Sequence, residues 1–247
     1  MWSRRLLQVC VAVPISAASV SLPLPLRAAP TPEELAGRLE QALNSADRDR
    51  VEALMAPDQR ELLAPRLLRF SQRFPDARWR LTAGAALPDG RFPLALRVTG
   101  TAENEGLTFS LKADQQLVLS TEAGLITAQE RIQDQSVLVS ASSPLPLTLL
   151  IPDAVLTGAR YDVDVVLNEP LGDALVAAGL TALTPEQVRD QRSPDIQLEP
   201  MGGGGLFKSV QAPFEPGVQT WAAMLVHPDG VITVTKQVRV VEERSQL

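Results

Sequence analysis

The chain has 247 residues, 45% of them hydrophobic and 21% charged, with a net charge of −6. An acidic balance with only 4% aromatic residues excludes the basic, aromatic-studded surface that nucleic acid demands, and it disfavours an anionic membrane surface as a partner. The single cysteine, Cys10, excludes an intramolecular disulfide, and no thiol nucleophile or thiolate metal ligand remains once a leader containing it is removed.

Residues 1–29 have the pattern of a secretory signal. Arg4 and Arg5 form a positive start, residues 6–18 are an uncharged, mainly apolar run, and small residues follow. Cleavage after Ser16-Ala17-Ala18 competes with cleavage after Leu26-Arg27-Ala28. An anchor helix over residues 6–26 would be long enough to span a bilayer, but Pro14, Pro23 and Pro25 suit it poorly. Leu7-Gln8-Val9-Cys10 resembles a lipoprotein box, with Val9 too bulky where a small residue is needed. The expectation is export to the periplasm, the extracellular space or a thylakoid lumen, with no stable membrane insertion after cleavage. The mature chain then divides into a domain at 30–140, a linker at 141–147 marked by Ser and Pro, and a domain at 148–247.

Thr31-Pro32-Glu33-Glu34 predicts a helix start, because Thr31 can cap, Pro32 suits the first helical position and Glu34 completes a capping box. Leu35, Leu39, Ala42 and Leu43 then fall on one face. A short second helix carries Val51, Leu54 and Met55 and ends at Pro57. A third helical region covers 59–74, bent or restarted at Pro65, with Leu62, Leu63, Leu67, Phe70 and Phe74 available to pack. Arg60, Arg66, Arg69 and Arg73 lie among these. They read either as an anion site or, more plainly, as a solvated face balanced by Asp58, Glu61 and Asp76.

Residues 77–139 predict four long strands. Trp79, Leu81, Ala83, Ala85 and Leu87 alternate on the first, and Phe92, Leu94, Leu96 and Val98 on the second. Leu107, Phe109, Leu111 and Ala113 alternate on the third, which continues through Leu117 and Leu119. Ile126, Ala128, Glu130 and Ile132 mark the fourth. The turns Pro88-Asp89-Gly90, Glu103-Asn104-Glu105-Gly106 and Glu122-Ala123-Gly124 each bring a glycine where positive φ is wanted. Helices followed by a meander of this kind make an α+β unit.

The run from Ala42-Leu43-Asn44-Ser45-Ala46-Asp47 through Val51 and Leu54 to Ala56-Pro57-Asp58 resembles the opening of nuclear transport factor 2-like proteins. That resemblance implies a cystatin-like cone over residues 31–139, in which the helices cover a bent sheet around a pocket. The family holds isomerases, dehydratases, hydrolases and many non-catalytic modules, so it implies shape more than activity. Its enzymes place Asp, His or Tyr inside the cone, whereas residues 31–139 contain no His, Tyr or Cys. The expected pocket residues are Trp79, Phe92, Phe109, Gln115 and Glu130. Glu130 is the candidate base, since a carboxylate at the parity of Ile126 and Ile132 would have a raised pKa. The plainer alternative is a bulge that returns it to water.

The second half predicts six or seven short strands with turns about every ten residues, which suggests an immunoglobulin-like β-sandwich. Pro216-Gly217 leading into Thr220-Trp221-Ala222-Ala223 resembles the late strands of such domains. Gly205-Leu206-Phe207-Lys208-Ser209 with Ala212-Pro213 resembles exported proteins of photosynthetic bacteria that join these two modules, and implies no activity. Residues 174–184 read as strand or short helix, with Gly179 favouring strand, and Thr184-Pro185-Glu186-Gln187 as a helical turn. The glycine run 202–205 precedes a strand rather than a helix, so it reads as a hairpin loop and not as a phosphate cradle. His227 with Asp229 and Glu169 is too thin a cluster for a metal, and Asp162 and Asp164 lack a calcium-binding loop. No cofactor and no metal are expected. The expected function is non-catalytic binding of a small apolar ligand or a protein partner. The alternatives are an isomerase or hydrolase that uses Glu130 with Gln115, and a structural protein whose cone is filled.

Overall fold

The computed structural model describes residues 29–45, 47–104, 106–140, 146–169 and 174–247. Residues 1–28 with Cys10, linker residues 141–145, and positions 46, 105 and 170–173 lie outside the described residues. The first helix, α1 (Pro32–Asn44), begins as its neighbours dictate. The Thr31 hydroxyl accepts from the Glu34 N–H at 3.2 Å, and the Glu34 carboxylate accepts from the Thr31 N–H at 3.0 Å. Leu35, Leu39 and Ala42 form its buried face. A one-turn helix, α2 (Arg48–Glu52), is capped by Asp47. The third, α3 (Pro57–Arg73), runs as one helix of 17 residues through Pro65, without the restart weighed there.

Strands β1 (Arg78–Ala83), β2 (Phe92–Asn104), β3 (Leu107–Glu122) and β4 (Leu125–Val139) form an antiparallel meander. Ala123 and Gly124, with φ of 49° and 79°, close the β3–β4 hairpin as a two-residue turn that needs positive φ at both positions. The free edge of β1 is covered by α1. The Asn44 side chain accepts from the Trp79 N–H at 2.9 Å and donates to the Trp79 carbonyl at 2.8 Å, and Glu40 accepts from the Leu81 N–H at 2.7 Å. These bonds occupy backbone groups that would otherwise template a foreign strand.

The remaining elements are β5 (Leu147–Leu150), β6 (Ala154–Leu156), β7 (Arg160–Leu167), β8 (Val176–Leu183), α4 (Pro185–Asp190), β9 (Glu199–Met201), β10 (Gly205–Gln211), β11 (Gly217–His227) and β12 (Gly230–Val241). Residues 174–184 therefore resolve as strand. The capping box at Thr184 and Gln187 starts α4.

The expected fold, a helix-covered cone followed by an immunoglobulin-like sandwich, is overturned. The described residues are 51% strand and 21% helix, too little helix to close the meander into a cone. The meander instead opens into a larger sheet. β3 and β4 are 16 and 15 residues long, and the last residues of β4 pair with β12 from Gln135↔Lys236 to Val139↔Ile232. One nine-stranded sheet results, ordered β1-β2-β3-β4-β12-β11-β8-β9, with β6 alongside β12. A three-stranded sheet, β10-β7-β5, packs on the face of β12 and β11 that carries Ile232, Val234, Val238, Trp221 and Leu225. The opposite face, next to α3, carries Thr233, Thr235 and Gln237 of β12.

Gly179 controls how the segment after α4 returns. A Cβ on Gly179 would collide with the Gln197 carbonyl oxygen and lie 2.6 Å from the Ile196 side chain. The bare backbone lets residues 196–197 lie against β8, which in turn fixes where residues 191–194 sit. Gly179→Ala is expected to lower stability by about 2 kcal/mol through overpacking, read as a fall in the urea midpoint.

Candidate binding cavity

The sheet face beneath α3 changes chemistry strand by strand. β2 offers Leu94, Leu96 and Val98, and β3 offers Leu111, Ala113, Leu117 and Leu119 with one amide, Gln115. β4 offers Ile126 and Leu138 but also Gln129, Arg131, Asp134 and Ser136, and β12 only Thr233, Thr235 and Gln237. Above this face, Leu63, Leu67, Phe70 and Phe74 recur every three or four residues along α3 and make its apolar stripe. Leu63, Leu67 and Phe70 pack against the sheet core around Leu94, Leu96 and Leu117, but the two surfaces do not close completely. Between them lies an open-sided cavity of about 470 Å³ with an oily wall toward β2 and a polar wall toward β12.

Two contacts frame the cavity. Phe70 meets Trp79 edge-on at 5.1 Å between ring centres, at the oily end. At the polar end, Arg69 of α3 donates to the Gln191 side chain at 3.2 Å and to the Arg189 carbonyl at 3.3 Å. That latch holds residues 191–194, which follow α4, against the mouth. Inside, Arg131 pairs with Asp134 at 3.0 Å, the Ser136 and Thr235 hydroxyls bond at 2.7 Å, and the Gln237 amide donates to the Arg131 carbonyl at 3.4 Å. Arg66, half-buried on α3, has a pKa pushed below the usual guanidinium value. Loss of hydration is the largest cause, followed by the like charges of Arg131, Arg69 and Arg189.

Of the expected pocket residues, Trp79 and Gln115 line the cavity. Phe92 is buried in the core with Leu94 and Leu119, and Phe109 is buried opposite Ala102, so neither reaches the wall. Glu130 requires a correction. Its carboxylate is 52% exposed and pairs with Arg91 at 3.2 Å. The cause is a pair of register shifts in β4. Ser120 pairs with Ala128 but Thr121 with Ile126, which leaves Thr127 unopposed, and Leu117 pairs with Arg131 but Gln116 with Gln133, which leaves Ile132 unopposed. Between the two bulges the alternation is inverted, so Gln129 and Arg131 point inward and Glu130 points out. Beyond the second bulge the original parity returns, and Asp134 and Ser136 face the cavity. Asp134 is the carboxylate on the wall, and Arg131 holds it in an ion pair.

Arg131 and Asp134 were missed, and Arg66, named among four arginines that read more plainly as a solvated face, lines the cavity. Arg66 carried a signal, because it lies three residues after Leu63 and four before Phe70, on the apolar stripe rather than beside it. Asp134 and Ser136 carried one too, in the parity of Ile126 continued down the strand. Arg131 had none, since its orientation depends on bulges that alternation alone does not announce. His227 accepts from the Asp229 N–H at 3.1 Å and closes the β11–β12 turn. Among the described residues no group of three or more His, Cys, Asp or Glu is placed to hold a metal, and no helix is long and apolar enough to cross a membrane.

Residues 142–241 match the model of a family described as a domain of unknown function (DUF8623). No curated protein matches the sequence. The matched segment holds α4, β8, β11 and β12, which supply part of the polar wall, while α1, α3 and β1 to β3, which build the oily wall, and β4, which carries the rest of the polar wall, precede it.

Proposed function

We propose that this chain is an exported, non-catalytic binding protein that holds a small, mainly apolar molecule in the cavity between α3 and the nine-stranded sheet. The observation that carries this reading is the unfilled space itself. Small-molecule sites are concave, mainly apolar clefts with a few convergent polar groups. A cavity of about 470 Å³ lined by Leu67, Phe70, Trp79, Leu94 and Leu96 therefore has the volume and the wall of a ligand site, inside the roughly 300–1,000 Å³ range of small-molecule pockets. The placement of Glu130 outside the cavity and the pairing of Asp134 with Arg131 favour holding over turnover. Export rests on residues 1–29, whose two arginines, apolar run and small residues have the order of a signal sequence.

Native mass spectrometry of protein purified from its source tests the proposal. The expected spectrum shows a second species, heavier than the chain by one small molecule, that collapses to the bare mass on collisional activation. The reading is wrong if the protein is recovered bare and neither dodecanol nor dodecanoate adds to it at micromolar concentration.

A further inference from the structure

Four arginines and one carboxylate line the cavity of a chain whose net charge is −6. The arginines are Arg66, Arg73, Arg131 and Arg192, and the carboxylate is Asp134. Positive charge is thus concentrated where an acidic protein has least of it to spare. The four are not equivalent. Arg73 and Arg192 are exposed at the rim, Arg73 near the Phe74 ring and Arg192 paired with Asp190. Arg66 and Arg131 are half-buried, one reaching from α3 and the other from β4, and they face the cavity from opposite sides. Arg131 shares its charge with Asp134, whereas Arg66 has no carboxylate partner among the described residues. The oily wall begins directly beside them, at Leu63, Leu67 and Leu117.

We propose that the cavity takes a single-chain amphiphile with an anionic head, a carboxylate or a phosphate, seated between Arg66 and Arg131 with its chain running under α3 toward Trp79. This deepens the binding reading above and rests on it. An anion there would pair the guanidinium that the protein leaves without a partner and relieve the repulsion between Arg66 and Arg131. Guanidinium groups give such heads paired, charge-assisted hydrogen bonds. Gln115, Gln129 and Ser136 stand nearby on the same wall as neutral donors. The gradient from Leu and Val on β2 to Thr and Gln on β12 orients the molecule, head toward β12 and tail toward β2.

Isothermal titration of the full mature chain with four probes of equal chain length tests this: dodecanoate, dodecyl phosphate, dodecanol and dodecyltrimethylammonium. The expected order places one or both anions about tenfold or more tighter than dodecanol, with the cation weakest. Which anion binds better identifies the head. In Arg66→Gln the anion affinity is expected to fall about tenfold while dodecanol is unchanged, and Arg80→Gln, on the exposed face of β1, is expected to alter neither. Arg66 is the residue to change because its loss breaks no internal ion pair. Equal affinity for dodecanol and the anions, or an unchanged anion affinity in Arg66→Gln, would overturn the head-group assignment and leave the binding reading standing. Failure of all four probes to bind would overturn both.

Discussion

Leu225→Ala is expected to destabilise the whole described chain by about 3 kcal/mol, and not only its second half. Leu225 is 1% exposed on β11, packed with Ile232, Val234 and Val165 between the nine-stranded sheet and the three-stranded one. Truncation there leaves a cavity that strands held on both sides by ladder hydrogen bonds cannot collapse to fill. The reach of the effect follows from connectivity. β11 pairs with β12 over its full length, and β12 pairs with β4 from Ile232 to Lys236, so the meander of the first half is hydrogen-bonded to the core of the second. Trp79 and Trp221 report on the two halves separately. Trp79 lies over the cavity, and Trp221 donates to the Tyr161 hydroxyl at 2.9 Å in the other core. Urea unfolding followed in Trp79→Phe and in Trp221→Phe backgrounds is expected to give coincident midpoints that move down together in Leu225→Ala. The reciprocal variant, Leu94→Ala, removes a side chain that is 1% exposed in the first-half core and is expected to shift both reporters by a similar amount. A midpoint that moves for one tryptophan alone would show that the shared sheet does not couple the halves.

That coupling was the least legible feature of the sequence. The start of α1 could be read from Thr31, Pro32 and Glu34, because a capping box is satisfied within four residues. The faces of β1 and β2 could be read from Trp79, Leu81, Leu94, Leu96 and Val98, because a strand with one buried side records burial at every second position. The end of β4 gives no such record. Val137 and Val139 pack toward Leu147 and Leu149, while Ser136 and Leu138 face the cavity, so both faces are occupied and alternation loses its meaning. The partner strand β12 lies about a hundred residues away and alternates cleanly by itself, Ile232, Val234 and Val238 against Thr233, Thr235 and Gln237. Nothing in either strand names the other. Two compact units are what local pattern suggests when long-range pairing is invisible, and the resemblance of residues 42–58 to a cone-forming family strengthened that expectation with a stretch that ends before the first strand. The cavity was half legible for the same reason. Its oily wall, including Trp79, lies on regular strands. Its polar wall lies on the bulged stretch of β4 and on strands of the second half, where inward threonines read as the solvent side of a sheet.

Filling the cavity from the middle is expected to abolish binding without harming the fold. Ala113 lies on β3 between Val98 of β2 and Ser136 of β4, on the face below α3, at the boundary of the oily and polar walls. Its small side chain lines the cavity, as Phe70 of α3 does. A phenyl group at that position would enter the cavity and block the path from Arg66 and Arg131 to Trp79, so that a chain could no longer run between them. Ala113→Phe is expected to weaken dodecanol binding by about a hundredfold, which corresponds to roughly 2.7 kcal/mol of lost ligand burial. Its thermal midpoint is expected to hold or rise, because new apolar surface is buried in space that was vacant rather than in a packed core. The two readouts together separate explanations that either alone would confuse. Weaker binding with a raised midpoint means the ligand and the phenyl group compete for one volume. Weaker binding with a midpoint lowered by several degrees means the side chain has forced α3 off the sheet, and a more conservative Ala113→Leu must then show graded loss of binding at unchanged stability. If dodecanol binds Ala113→Phe as tightly as it binds the parent, the molecule sits elsewhere, and the space under α3 is not the site.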